Sequence, residues 1–302
     1  MLTTEQLQAR KKGIGGSDAA AIAGLSRWKT SLDIYLDKLD LSEPEDMDAS
    51  DRIYFGKVLE PIVAQEFERR TGKVCSIEPK TLIHPKYEWM FANIDRRITT
   101  DGSILECKTA SAYSREEWGE SGSDQFPDEY LLQCTHYAAV CDVPKVELAV
   151  LIGGQNFRTY TYRRNLKLEN RLIEIEHDFW HNNILKEIPP EPKTPQQAFV
   201  LWPKDNADTV AVVASEIEEK VHQLVNVKQQ IKQFEEEEKT LQASISHFMK
   251  EASVLVDVSG KWLVTWKTQT ANRFDTNGFK SIHPDLYEQF AKSTASRVFR
   301  LK

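Results

Sequence analysis

The sequence predicts a mixed α/β fold of the α+β kind, with one central sheet flanked by helices. Three observations lead there. Helical periodicity opens the chain and gives way to short runs rich in β-branched and aromatic residues, which in turn give way to a helix, a hairpin and another helix. A proline-rich break then separates this part from a long stretch without glycine or proline. The 302 residues exceed the usual span of one domain, so a large domain with a smaller appendage is expected.

The elements follow in order. Helices are expected near 17–24, 31–39 and 51–71, the last carrying Phe55, Leu59, Ile62, Val63 and Phe67 at helical spacing and stopping at Thr71-Gly72. Four strand-like runs come next, "KVCSIE", "KTLIH", "EWMFANID" and "SILECK", separated by proline, histidine or Asp-Gly turn signals. A helix near 125–141 precedes the strands "VELAVLIGG" and "NFRTYTYRR", joined at Gly153-Gly154, and a helix near 165–186. The prolines of "IPPEPKTPQQ", residues 188–197, exclude a helix there. The expected domains are therefore residues 1–190, a proline-rich linker at 191–205 and an appendage at 206–302.

The appendage divides into two patterns. Residues 214–251 place Ile217, Val221, Leu224 and Ile231 on one stripe and Phe234, Leu241, Ile245 and Phe248 on another, with a phase slip across "QFEEEEK". A long helix with a stammer-like break and two helices meeting there both account for it. Such stripes must be covered by the appendage's own hairpin, by another protomer or by a partner protein. A hairpin ("SVLVDV", "KWLVTWKTQ"), a short helix near Pro284–Lys292 and a last strand "SRVFRLK" complete the chain.

Composition narrows the function classes. With 40% hydrophobic and 28% charged residues the chain is an ordinary globular protein, and it has neither a membrane-length apolar run nor a secretory pattern, so a cytoplasmic location is expected. Cys75, Cys107, Cys134 and Cys141 form no C-x-x-C pair, which argues against zinc fingers and a disulfide framework. The net charge of -7 argues against a general basic coat for nucleic acid. A DNA enzyme with an acidic metal site and one basic channel remains open.

Two stretches carry chemistry. In "RKKGIGGSDAAAIAGLSRWKTSLDIYLDK", residues 10–38, a glycine-rich turn and Ser17-Asp18 lead into a helix N-terminus beside Arg10, Lys11 and Lys12. That arrangement suits an anion, and it also suits an ordinary capped loop. In "FANIDRRITTDGSILECKTA", Asp95 ends one strand, Asp101-Gly102 turns, and the next strand carries Glu106 and Lys108 on one face. Two converging carboxylates can hold a divalent cation, and a lysine beside them can orient or deprotonate an attacking water. The E-x-K pattern also occurs at 78–80, 191–193, 218–220 and 237–239, but only Glu106 lies on an apolar strand facing an aspartate. Glu60, beside Leu59 and Val63 and before Pro61, and Gln133, within "EYLLQCTHYAAV", are polar groups at the margins of apolar helix faces.

The four motifs "RKKGIGGSDAAAIAGLSRWKTSLDIYLDK", "FGKVLEPIVAQEFERRTG", "ANID...DGSILECK" and "YLLQCTHYAAV...VELAVLIGG", in consistent order over about residues 8–165, resemble the YqaJ-like viral recombinase family, phage nucleases related to the lambda exonuclease. The resemblance implies a PD-(D/E)XK core and processive 5′→3′ digestion of one strand of linear duplex DNA with Mg2+, with Mn2+ expected to substitute. It implies a ring-shaped homotrimer in the bacterial host, working on DNA ends with a phage single-strand annealing protein. By the same resemblance Asp95 and Glu106 are metal ligands, Cys107 adds its backbone carbonyl, and Glu60 is the helix-borne acid of the metal site. Lys108 is then the catalytic lysine and Gln133 the glutamine on the following helix, while Arg10 and Ser17 resemble the pair that grips a terminal 5′-phosphate. The sequence departs from the family at Ile94-Asp95-Arg96, where relatives read Pro-Asp-Gly, and at Asn93, where some place a serine near the phosphate. A restriction-type endonuclease and a non-catalytic DNA-binding recombination scaffold are the competing expectations.

Overall fold

The computed structural model describes residues 11–41, 51–293 and 296–301. It divides into two compact units, Met1–Gln197 and Ala198–Lys302. In the first, β1 (Ile14–Gly15), α1 (Gly16–Ile22), α2 (Ser31–Lys38) and α3 (Asp51–Thr71) precede five short strands: β2 (Cys75–Ser76), β3 (Leu82–Ile83), β4 (Met90–Ala92), β5 (Arg96–Ile98) and β6 (Ile104–Ala110). Then come α4 (Asp128–Cys141), β7 (Lys145–Ile152), β8 (Asn156–Arg163) and α5 (Leu166–Asp178), which continues into a π-helical turn at Phe179–Ile184.

The predicted architecture, a mixed central sheet flanked by helices, is the one observed. Five strands run in the order β2-β5-β6-β7-β8, with β6 and β7 parallel and every other pair antiparallel. The parallel pair requires a crossover, and α4 lies within it. The expected meander is divided, however. β3 and β4 join β1 in a separate small sheet, while β5 returns to the main one. "EWMFANID" is thus no single strand: the chain leaves one sheet after Ala92 and enters the other at Arg96. Asp95 sits at that transfer, not at a strand end.

Strand alternation sorts the neighbours of β6. Leu105 and Cys107 pack with Ile98 and Ala149 against Val63, Ala64 and Phe67 of α3. Of the stripe expected on α3, only the later turns are buried; Phe55 and Ile62 are exposed. Pro61 lies inside this helix, removing one backbone donor from its middle without ending it. Elsewhere, Ala19 and Ala20 of α1, Leu132 of α4 and Leu172 of α5 form a second cluster. Small residues on α1 allow that close approach. α2 begins with a reciprocal cap, in which Thr30 Oγ1 accepts from the Asp33 N–H and Asp33 Oδ2 accepts from the Thr30 N–H at 2.7 Å.

The expected start of the first helix needs correction. Gly15 is the cap residue and Ser17 already lies within the first turn of α1. Asp18 reaches back to accept from the Gly15 N–H at 3.1 Å. Its charge is met by Lys38 of α2 at 2.6 Å, a pair buried together. Gly16 is required by packing, because a Cβ there would stand 2.5 Å from the Tyr137 ring.

A short helix, α6 (Pro195–Leu201), starts inside the segment where the prolines excluded one. Pro195 opens it, and a missing N–H costs nothing at a first helical position. In the second unit α7 (Ser215–Met249) is one unbroken helix of 35 residues, so two helices meeting at the acidic run are ruled out. β9 (Val254–Val256) and β10 (Trp262–Thr265) form the expected hairpin. They are followed by α8 (Thr276–Ile282), which the sequence did not suggest, and α9 (Pro284–Phe290). Residues 296–301 are not a strand. No helix among the described residues is long and apolar enough to cross a membrane.

Candidate active site

β6 carries two ionisable groups into a cleft of about 330 Å³ that is also lined by Asp95 and by Arg52, Gly56, Lys57 and Glu60 of α3. Glu106 is buried at 2% exposure. Its Oε1 is held from two sides, by Lys108 Nζ at 2.6 Å and by Gln133 Nε2 at 2.7 Å. Its Oε2 is buried and has no hydrogen-bond partner among the described residues. A carboxylate oxygen in that position carries a desolvation cost that nothing within the chain repays.

Asp95 is brought to the same cleft by the passage between sheets. Its Oδ2 accepts from the Cys107 N–H at 2.7 Å, which ties it to the middle of β6. Burial, and then the neighbouring charge of Glu106, push the Asp95 carboxyl well above the ordinary carboxylate range, with Glu60 adding to the effect and Lys108 opposing it. Burial disfavours the Lys108 ammonium, but Glu106 and Asp95 outweigh it and hold its pKa above the ordinary lysine value. Asp95 and Glu106 thus crowd two carboxyl groups around a single close lysine.

Other residues singled out in the sequence take distinct places. Glu60 lines the cleft, yet its Oε1 pairs with Arg96 Nη1 at 2.7 Å. Among the described residues no group of three or more His, Cys, Asp or Glu side chains forms a metal cage. The close carboxylates are thus the pair Asp95 and Glu106, with Glu60 engaged by an arginine at the edge. Asn93 turns its side chain to Thr81, whose hydroxyl donates to Asn93 Oδ1 at 2.8 Å. Ser17 is exposed on the first turn of α1. Arg10 lies outside the described residues.

A hard divalent cation suits this donor set. The unpartnered Glu106 oxygen beside a second carboxylate is what oxygen-ligated cations use, and Mg2+ keeps several of its waters, so two carboxylates suffice.

Comparison with known proteins agrees with the layout. Residues 5–144 match the YqaJ-like viral recombinase domain. The uncharacterized protein YqaJ of Bacillus subtilis (strain 168) is 36% identical over 308 residues, covering 100% of this chain and 95% of that one. The chain belongs to the YqaJ-like viral recombinase family. Among solved structures, LHK-Exo in complex with dAMP superposes with a TM-score of 0.50 at 16% identity, over 62% of this chain and 94% of that one. The structure of the same protein described as an alkaline exonuclease from Laribacter hongkongensis gives 0.49 at 14%. The likeness to LHK-Exo is one of fold, a mixed central sheet flanked by helices.

In this member of the YqaJ-like family two features of the cleft escaped the sequence reading. Tyr137 joins its parts: its hydroxyl accepts from Gln133 Nε2 at 3.0 Å and donates to the Asn93 carbonyl at 3.1 Å, while its ring packs on Gly16. Only the i, i+4 spacing to Gln133 is local; Asn93 and Gly16 are distant in sequence. The second feature, the cation-bearing wall of Arg52 and Lys57, did leave a signal. Ile53, Gly56, Lys57 and Glu60 recur at i, i+3, i+4 and i+7, one face of α3 turned to the cleft. Arg52 is held over the Trp28 ring, 4.7 Å from its centre.

Proposed function

We propose that this protein is a metal-dependent deoxyribonuclease that digests one strand of linear duplex DNA in the 5′→3′ direction from a 5′-phosphorylated end. The observation that carries the proposal is the buried, unpartnered Oε2 of Glu106 in a cleft it shares with Asp95, with Lys108 on the other oxygen. Family membership and the alkaline exonuclease named among structures of this fold support the same reading.

Asp95 and Glu106, with the Cys107 carbonyl, are the groups to hold Mg2+, or Mn2+ in its place, and Glu60 would join them on release from Arg96. When bound, such a cation polarises the scissile phosphate and lowers the pKa of an attacking water. Lys108 orients that water and offsets charge developing on the phosphate. Gln133 fixes the carboxylate of Glu106, and Tyr137 fixes Gln133. Arg52 and Lys57 give the duplex backbone a cationic wall in an otherwise acidic chain. Arg10, Ser17 and Asn93 would hold the terminal phosphate near the start of α1. The product, single-stranded DNA, would serve phage recombination by strand annealing, with a single-strand annealing protein as partner and a trimer as the working form in the bacterial cytoplasm.

The experiment uses linear duplexes labelled at either end, with and without a 5′-phosphate, and initial rates for the native chain and Arg10→Ala. Release should begin at the 5′ terminus. Loss of the phosphate should slow it about tenfold or more, since charge-assisted bonds contribute about 1.5–3 kcal/mol each. Losing both the phosphate and Arg10 should cost little more than losing either. Release from the 3′ terminus would refute the polarity, and fully additive losses would place end recognition elsewhere.

A further inference from the structure

The second unit carries a surface that the proposed activity does not use. Along α7 a single 4–3 spacing runs from Ile217 through 220, 224, 227, 231, 234, 238, 241 and 245 to Phe248. Written as a heptad, the a positions are Ile217, Leu224, Ile231, Glu238 and Ile245, and the d positions are Lys220, Val227, Phe234, Leu241 and Phe248. The phase slip expected at the acidic run is therefore absent; it came from following Val221, an e position, in place of Val227. Apart from half-buried Leu224, the apolar residues of this seam are between 38% and 74% exposed. A straight row of Ile, Leu, Val and Phe left in water is an unmet packing demand.

The two polar members of the seam identify what covers it. In a parallel, in-register pair Glu238 would face Glu238 and Lys220 would face Lys220, like charges within the core. In an antiparallel pair each a residue faces a d residue of the other helix. Centring the crossing on residue 229 sets Ile217 against Leu241, Leu224 against Phe234, Val227 against Ile231, and Lys220 against Glu238. Every apolar position from Ile217 to Leu241 then meets an apolar one and the two charges meet each other, while Ile245 and Phe248 lie opposite Val213 and Val210, ahead of the helix start. Sliding the helices by one heptad either way sets Lys220 against Ile245 or Ile231. Lys220 is already paired with Glu216 at 3.1 Å within its own helix, so the arrangement adds a second acid to an existing pair.

We infer that α7 is a self-association element that pairs antiparallel with the α7 of a second copy of this chain, in the register that joins Lys220 to Glu238. The charged layer specifies orientation and register more than it stabilises, as polar layers in helix pairs generally do. The seam shares no residue with the lining of the cleft, and the inference holds whether or not the chain cuts DNA.

The test is the mass of the full-length protein by sedimentation equilibrium, for the native chain, Glu238→Lys, and the double variant Lys220→Glu/Glu238→Lys. Circular dichroism checks that each keeps its helix content, as substitutions on an exposed helix face should allow. Pairing through α7 would join two of the proposed trimers, so the native protein should sediment as a hexamer, or as a dimer where no trimer forms. An odd multiple of the chain mass, a free trimer included, overturns the inference. Glu238→Lys places lysine against lysine in both layers and should lower the mass by half or more, and the double variant should restore it. A native protein that sediments as a single chain overturns the inference. So does a Glu238→Lys mass equal to native, or a double variant that stays dissociated, which would point to a parallel pair or to a different partner.

Discussion

The cleft beside β6 and the outer face of α7 depart from the usual partition of side chains in opposite senses. The cleft buries what water would hold better: Glu106 is 2% exposed with one oxygen unpartnered, and Asp95 is pressed toward its neutral form by burial and by its acidic neighbour. The face of α7 exposes what a core would hold better, Phe234 at 67% and Leu241 at 57%. Each is a local cost to the isolated chain. A bound cation would remove the first and a second helix would remove the second, and it is this unmet demand in the chain alone that marks each as a candidate site.

The strongest way to break this comparison is to remove the cleft's charged groups. Asp95→Ala, Glu106→Ala and Lys108→Ala should each lower the initial rate of DNA digestion by about a thousandfold or more, while thermal unfolding in EDTA shows the two carboxylate variants no less stable than native. Adding Mg2+ should raise the native melting temperature and leave those of Asp95→Ala and Glu106→Ala unmoved. A native-like rate in any of the three variants would end the assignment.

Packing sharpens the comparison next. Phe67 is buried against β6 and should cost about 3–5 kcal/mol as Phe67→Ala in chemical denaturation. Phe234→Ala, of the same chemistry on the exposed face, should change the chain's own stability by about 0.5 kcal/mol or less. Its effect belongs in the association equilibrium.

A smaller effect is expected at the supports of the cleft. Gln133→Ala removes the donor that fixes Glu106 Oε1 and should slow digestion about 10–100-fold without abolishing it. Tyr137→Phe should fall in the same direction by less, because the ring that packs on Gly16 remains. Steady-state rates at saturating DNA separate these from binding defects.

Much of this was legible in the sequence, and the failures have physical causes. Asp95, Glu106 and Lys108 could be grouped because strand alternation and an Asp-Gly turn are local rules, and Gly102 does adopt the positive φ of 72° that the turn needs. β5 was hidden because three residues carry almost no periodicity and the apolar run before it belongs to a different sheet. Arg96 was read only as a departure from the family pattern, whereas it is the partner of Glu60. Ser17 was read as a cap because a serine before a small-residue run usually is one, but Gly15 and Asp18 divide that task. The α7 seam was visible only with the correct valine, since Val221 and Val227 both continue a helical stripe and only the latter continues a heptad.

The smallest predicted effect is a pH dependence away from the cleft. His136 Nδ1 lies 2.9 Å from Glu176 Oε1, both fully buried, and its Nε2 is 2.9 Å from the Phe91 carbonyl. Burial disfavours the imidazolium, but Glu176 and the carbonyl outweigh it and raise the His136 pKa. A raised value in the folded state stabilises the fold fully below about pH 6.5, the unfolded histidine value, and loses that contribution as pH rises through the raised one. Melting temperature should therefore decline across that window in the native chain, and the decline should flatten in Glu176→Gln. An unchanged slope in the variant would assign the pH dependence to other groups.

The most direct test of the central claim compares one substrate in two forms, linear duplex and covalently closed circle, incubated with the purified chain in Mg2+ and in excess EDTA. The account predicts that the linear form is consumed in Mg2+, that the closed circle survives, and that EDTA stops all digestion. Continued digestion in EDTA, or cutting of the closed circle, would contradict it.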